Sequence, residues 1–290
     1  MSTPAFLRRS APAHRGPAPV TALTTTREGV WVMQALCGVE MLPAALLLRP
    51  YVSAGGPPSA ATHSGVAVLR EAGALIDDEN TVHPTIVRWL EALGAPDIEL
   101  TVSVRRGDAQ MRLVIARREA VTVAISRCAD DITIEEIGPV SSMRSLYASI
   151  VALCGPAVDP AQFEPITVRS ADLVDGLAAA VKGAQDAGGV LGGLGLSAEQ
   201  RRIVMLAADA PFMEASFAVV IHDARGDHVG LASAAVTDTV EGRVVTGPIR
   251  GQDSRWWIQI VPGTVDAGAS ALRSLLDAVG TTWQGQSRLH

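Results

Sequence analysis

The chain has 290 residues, enough for about two typical domains or one large duplicated unit. Lysine and arginine number 24 against 30 aspartates and glutamates, a formal charge of −6, with 48 % hydrophobic, 19 % charged and 4 % aromatic residues. This balance excludes disorder over the whole length, a basic field able to displace the counterions of nucleic acid, and the stacking platform of a single-strand binder.

From the N-terminus, the first twenty residues carry three arginines and four prolines. They lack the apolar run of about 7–15 residues that a signal peptide needs, so 1–22 reads as a disordered leader. The spacing of Thr25 and Glu28 predicts a helix start, with Val30, Trp31, Met33 and Leu36 behind it and Gly38 at its end. The uncharged stretch 50–69 is broken by Gly55, Gly56, Pro57 and Pro58 and cannot span a bilayer. A second helix is expected over about 62–72. A third opens at His83-Pro84 and places Ile86, Val87, Leu90 and Leu93 on one face before Gly94.

At Ile98 the apolar period shortens to two. Ile98, Leu100, Val102 and Val104 alternate with Glu99, Thr101, Ser103 and Arg105. Strands over about 111–117, 120–127 and 131–136 follow, joined by connections short enough only for antiparallel neighbours. A helix at about 141–153 closes the block. A linker with three prolines, 156–168, then leads to the same order again: helices opening at Ser170 and Ser197, strands near 213–222, 229–237, 243–249 and 255–261, and a helix near 265–279. The expectation is an α+β fold, internally duplicated about a quasi-two-fold axis, with antiparallel sheets flanked by helices; 23–155 forms the N-terminal repeat and 169–290 the C-terminal one.

Constellations that carry chemistry are absent. Cys37, Cys128 and Cys154 form neither a disulfide framework nor a zinc motif, and read as buried thiols of a reducing, cytoplasmic compartment. His222 and His228 flank a hairpin turn with Asp223 and Asp227 beside them, which suits polar turn decoration better than a metal clip. The run from Gly193 to Ala198 matches G-x-G-x-x-A, but no buried strand precedes it and an antiparallel meander follows, so it reads as a connector ending in a helix cap. With no Walker loop and no nucleophile elbow, no catalytic, cofactor or metal residue is assigned. A small-molecule or nucleotide-binding enzyme using the loop 192–197, between Gly192 and Ser197, stays open as the alternative, as does a structural subunit.

A binding surface needs no special motif. On strand 213–222, Met213, Ala215, Phe217, Val219 and Ile221 share one face, leaving Glu214, Ser216, Ala218 and Val220 on the other. Trp256 and Trp257 must point to opposite sides. A face mixing small, polar and aromatic groups suits a protein partner as well as it suits a covering helix.

From about 23 to 283 the chain resembles the EspG family, secretion-associated cytosolic chaperones of mycobacterial type VII (ESX) systems. The resemblance is carried by LTTTREGVW from Leu23 to Trp31, Leu48-Arg49-Pro50 and AVLREAGALIDDENTVHPTIVRWLEALGAPDIEL at 67–100. It continues through CADDITIEEI at 128–137, Met205 to Asp209, WWIQIVPGT at 256–264 and LLDAVGTTW at 275–283. It implies a quasi-two-fold fold and a non-enzymatic role: binding PE–PPE heterodimers by the tip of the PPE protein, keeping them soluble and delivering them for secretion. It further implies a monomer or weak dimer in the cytoplasm, without nucleic acid, cofactor or membrane span, in transient contact with the secretion apparatus. In the family the central sheet and the C-terminal helical part make the partner contact. Strand phase, guided by that location, selects Glu214, Ser216, Ser233, Trp257 and Gln259 as partner-binding residues.

Overall fold

The computed structural model describes residues 20–49, 60, 62–181, 187–209, 211–252 and 254–288. Most of the expected leader thus lies outside the described residues. The first half begins with β1 (Ala22–Thr26), runs directly into α1 (Arg27–Cys37), and continues through α2 (Gly65–Glu71) and α3 (Pro84–Gly94). Strands β2 (Ile98–Arg106), β3 (Ala109–Arg118), β4 (Val121–Cys128) and β5 (Asp131–Ile137) precede α4 (Met143–Cys154). The second half repeats this: β6 (Ile166–Arg169), α5 (Ser170–Val181), α6 (Ala187–Gly193), α7 (Ala198–Asp209), β7 (Met213–Asp223), β8 (Gly226–Val229), β9 (Ala234–Thr239), β10 (Gly242–Arg250), β11 (Trp256–Pro262) and α8 (Val265–Ala278).

All the strands join one antiparallel sheet, ordered β1-β5-β4-β3-β2-β7-β9-β10-β11-β6, with β8 paired to the far end of β7. The order is a palindrome about the β2–β7 seam. Gly94 ends α3 and Ile98 opens β2; Asp209 ends α7 and Met213 opens β7, after the same interval. Val102 and Phe217, each the fifth residue of its strand, lie opposite one another in the register, so the quasi-two-fold axis passes through that pair.

Local chemistry explains the boundaries. Thr26, one residue beyond the expected Thr25 and the last residue of β1, caps α1 by accepting from the Gly29 amide. His83 caps α3 through Nδ1, with Pro84 in the first helical turn. Ser197 and Gln200 exchange the two hydrogen bonds of a capping box at the start of α7. The linker's last residues form β6, and the expected strand 229–237 is two strands separated by 230–233. Opposite that interruption, Val220 pairs with Val229 while Phe217 pairs with Ala234, so β7 spends two residues where its partner spends four. That excess is a bulge.

Strand parity sorts the helices. Leu100, Val102, Leu113, Ala215, Phe217, Val236 and Val245 form one core with Leu146 and Ile150 of α4, Leu272 and Leu275 of α8, and Trp283. On the other face, Val114, Ala116, Val123 and Ile125 pack with the α1–α3 block, including Met33, Leu69 and Trp89. There too Val244, Ile260 and Val168 pack with α5–α7 through Leu173, Leu191 and Ile203. No helix among the described residues is long and apolar enough to cross a membrane.

Candidate functional site

The two flanking helical blocks leave the seam strands uncovered between them. On this open face β2 presents Thr101, Ser103 and Arg105, and β7 presents Glu214, Ser216 and Ala218, the two sets being direct cross-strand neighbours. Thr101, Ser103, Arg112, Ser216 and Ala218 line a cleft of about 260 Å³, walled by Ala45 of the 3-10 turn Ala44–Leu46 on one side and by Ser233 on the other. Arg112 reaches from the floor to the Ala45 carbonyl (3.3 Å), and Arg127 donates to the carbonyls of Leu46 and Leu47 (2.7 Å each), holding that turn over the sheet. Arg105 and Glu214 form an ion pair of 2.7 Å at the mouth, with side chains 63 % and 36 % exposed. Such an exposed pair adds at most about 1 kcal/mol to stability.

Of the five residues selected by strand phase, Ser216 and Ser233 line this cleft, and Glu214 lies on the same face two residues along β7 from Ser216. Trp257 and Gln259 do not. Gln259 lies opposite Gly247, whose absent side chain admits Ala271 of α8, so both residues belong to the opposite, α4/α8 face. Trp257 sits there near the sheet edge beneath the Arg169 guanidinium (5.5 Å), whereas Trp256 has the Arg250 guanidinium over its ring (6.0 Å). Parity separates the two tryptophans as expected; which face each takes depends on pairing with β10 and β6.

Thr101 and Ser103 are floor residues, although in the sequence they stand out only as the polar side of a strand. The bulge 230–233 was also missed, although Gly230 signals it. It carries Leu231 fully into solvent next to Ser233.

His222 departs most from expectation. Far from decorating a turn, it is 6 % exposed, on the same side of β7 as Ser216 and Ala218. Its Nδ1 lies 2.6 Å from an Asp227 carboxylate oxygen, and its Nε2 lies 3.2 Å from Glu99 on β2, which is equally buried. Burial disfavours the charged ring, but hydrogen bonds to Glu99 and Asp227, and their charges, outweigh it and hold its pKa above the ordinary 6.5. His228 turns instead to Asp223 (3.2 Å), so the two histidines do not converge. Among the described residues no group of three or more histidine, cysteine or acidic side chains is placed to hold a metal ion.

Beside this cluster, buried Arg117 donates to Asp97 (3.2 Å) and to the Trp283 carbonyl (2.7 Å), and Asp97 accepts from the Arg288 amide (2.8 Å). The C-terminal segment is thereby strapped across one end of the seam. The thiols are not uniformly buried as expected. Cys128 is exposed, while desolvation pushes the Cys37 and Cys154 thiols up to about 11. The glycine-rich loop follows α6 rather than a strand and runs into the α7 capping box, which is the geometry of a connector. Two larger cavities lie off the groove, about 480 Å³ around Trp31 and His63 and about 490 Å³ between α4 and the start of α8.

Comparison with known proteins bears on what such a face meets. A model of the EspG family matches residues 26–274. The ESX-5 secretion-associated protein EspG5 of Mycobacterium marinum is 26 % identical over 93 % of this chain and 98 % of its own length. The ESX-2 secretion-associated protein EspG2 of Mycobacterium tuberculosis is 26 % identical over 92 % of this chain and 99 % of its own. Among solved structures, the type VII secretion system chaperone EspG5 of Mycobacterium tuberculosis, in complex with a PE25-PPE41 dimer, superposes with a TM-score of 0.79. It shares 22 % identity over 92 % of this chain and 100 % of that one, a likeness of fold.

Proposed function

The chain belongs to the EspG family, and from that premise we propose that it is a non-enzymatic, cytoplasmic chaperone of type VII secretion. It binds the tip of the PPE protein in a PE–PPE heterodimer, keeps the pair soluble and delivers it to the secretion machinery. The observation that carries this reading is the seam groove: central strands left open on one face, floored by small polar side chains and bordered by an apolar bulge. An open face of that kind suits a protein surface better than a small substrate, which calls for convergent polar groups in a closed pocket. Glu214, Ser216 and Ser233 contact the partner in the groove. Trp257 and Gln259 form a separate patch on the other face, to be tested on its own.

Co-expression with PE–PPE pairs of the native host tests the proposal. A cognate pair is expected to co-elute with the chain as a ternary complex in gel filtration and to lose solubility without it. Ser233→Tyr, which fills the cleft, and Glu214→Arg, which places a second cation beside Arg105, should each weaken capture about tenfold, near 1.4 kcal/mol, at an unchanged melting temperature. Trp257→Ala reads the second patch separately. If every pair stays soluble and unbound regardless of the chain, the chaperone reading fails; if both groove variants bind like wild type, the site is misplaced.

A further inference from the structure

The β7–β8 hairpin projects past the end of β9, and all four β8 residues are exposed on its outer side. β7 stays paired to β2 as far as Ile221, but β8 is a four-residue edge strand held by β7 alone, and so short an edge is marginally stable in water. This hairpin leads straight into the bulge that carries Leu231 and the groove residue Ser233, so its order sets the position of that wall. His222 and Asp227 are directly paired in its register.

The ring of His222 has an acceptor at each nitrogen: the Asp227 carboxylate at Nδ1 and the buried Glu99 carboxylate at Nε2. A neutral imidazole owns a single N–H, so one carboxylate would face a lone pair. Only the imidazolium donates to both. The other charged groups nearby are already engaged. Asp97, whose carbonyl accepts from the His222 amide, is paired with Arg117 of β3 and with the Arg288 amide; across the turn, Asp223 pairs with His228. The Gln286 amide caps the His222 carbonyl (2.9 Å) and brings no charge.

We propose that His222 is a positioning residue for the partner groove: its imidazolium ties Asp227 of the hairpin to Glu99 of the central sheet, and loss of the proton frees the wall formed by the bulge. The proposal rests on reading the seam groove as the partner site. Its direction is fixed by the raised pKa. The clasp is complete below the ordinary histidine value of 6.5 and is lost as pH rises through the higher folded-state value.

Hydrogen exchange on the full chain tests the clasp without any partner. Protection of 226–233, corrected for intrinsic exchange, is expected to fall about tenfold or more between about pH 6 and about pH 9. In His222→Gln it should be low and flat, while the β3–β4 hairpin behaves alike in both proteins. Equal pH profiles for 226–233 in the two proteins would overturn the proposal. Affinity for a PE–PPE pair over the same range is the second arm. Wild-type binding should weaken as pH rises, and the variant's should not change. A wall that loosens with pH while affinity stays constant overturns the link to the groove. If no pair binds at any pH, the chaperone reading fails while the exchange arm still decides the clasp.

Discussion

Two ion pairs show how burial decides what a pair of opposite charges is worth. Arg243 grips Asp238 through two hydrogen bonds of 2.6 and 2.8 Å, with side chains 6 % and 0 % exposed, while Arg105 and Glu214 meet largely in water. Removing Asp238 strands a guanidinium that cannot shed its charge, whereas removing Glu214 returns Arg105 to solvent. Asp238→Ala is therefore expected to cost about 3–5 kcal/mol, and Glu214→Ala less than about 1 kcal/mol, both read by urea denaturation. Equal losses would mean that Arg243 finds water or another acceptor once Asp238 is gone. The same contrast explains what the sequence withheld about His222. The alternation of 214, 216, 218 and 220 runs on to 222, but beside a turn that residue reads as polar decoration. Asp227 comes from the same hairpin, but Glu99 comes from β2, which no local pattern brings to His222.

Among the elements, α4 and α8 pack against one another, and a glycine makes the approach possible. A Cβ at Gly268, in the first turn-and-a-quarter of α8, would lie 2.0 Å from Cζ of Tyr147 on α4. Alanine favours a helix over glycine by about 1 kcal/mol, which argues for a more stable variant. The clash decides against it, since three atoms of a ring 2 % exposed would lie within 2.4 Å of the new Cβ. Gly268→Ala should lower stability by about 1–3 kcal/mol net, as overpacked cores do. A rise in melting temperature would show that α8 can slide. The helices other than α6, whose glycine-rich sequence shows no apolar period, and the inner strands were legible because their apolar periods are clean. β1 and β6 were not: each is short and gives way to a helix at the next residue, β1 falling between the leader and the expected helix cap and β6 at the end of the linker. Only pairing with β5 and β11 makes them strands.

At the scale of the molecule, duplication was visible in the repeated order of elements, but the seam that joins the repeats was not. Nothing local in Ile98–Arg106 or Met213–Asp223 says that they pair with each other rather than edging two separate sheets. Nor does parity alone say which side the helices leave bare, and so Trp257 and Gln259 could not be told apart from the groove residues. The seam also determines how the halves depend on one another. The cores under α1–α3 and α5–α7 each draw on one half of the chain, whereas the α4/α8 core draws on both. Splitting the chain between the repeats would lay bare Leu146 and Ile150 of α4, Leu272 and Leu275 of α8, and Val102 and Phe217 of the seam. At about 1.5–3 kcal/mol for each large side chain, that loss rivals the about 5–15 kcal/mol by which a whole domain is stable. Fragments 20–155 and 156–288 are therefore expected to be insoluble or molten when made alone, and to recover native circular dichroism when co-expressed. The intact chain should unfold in urea in one transition, with tryptophan fluorescence and far-ultraviolet circular dichroism superimposing. A cooperative transition from either fragment alone would show instead that each repeat is a self-sufficient domain and that the groove is an interface between two such domains.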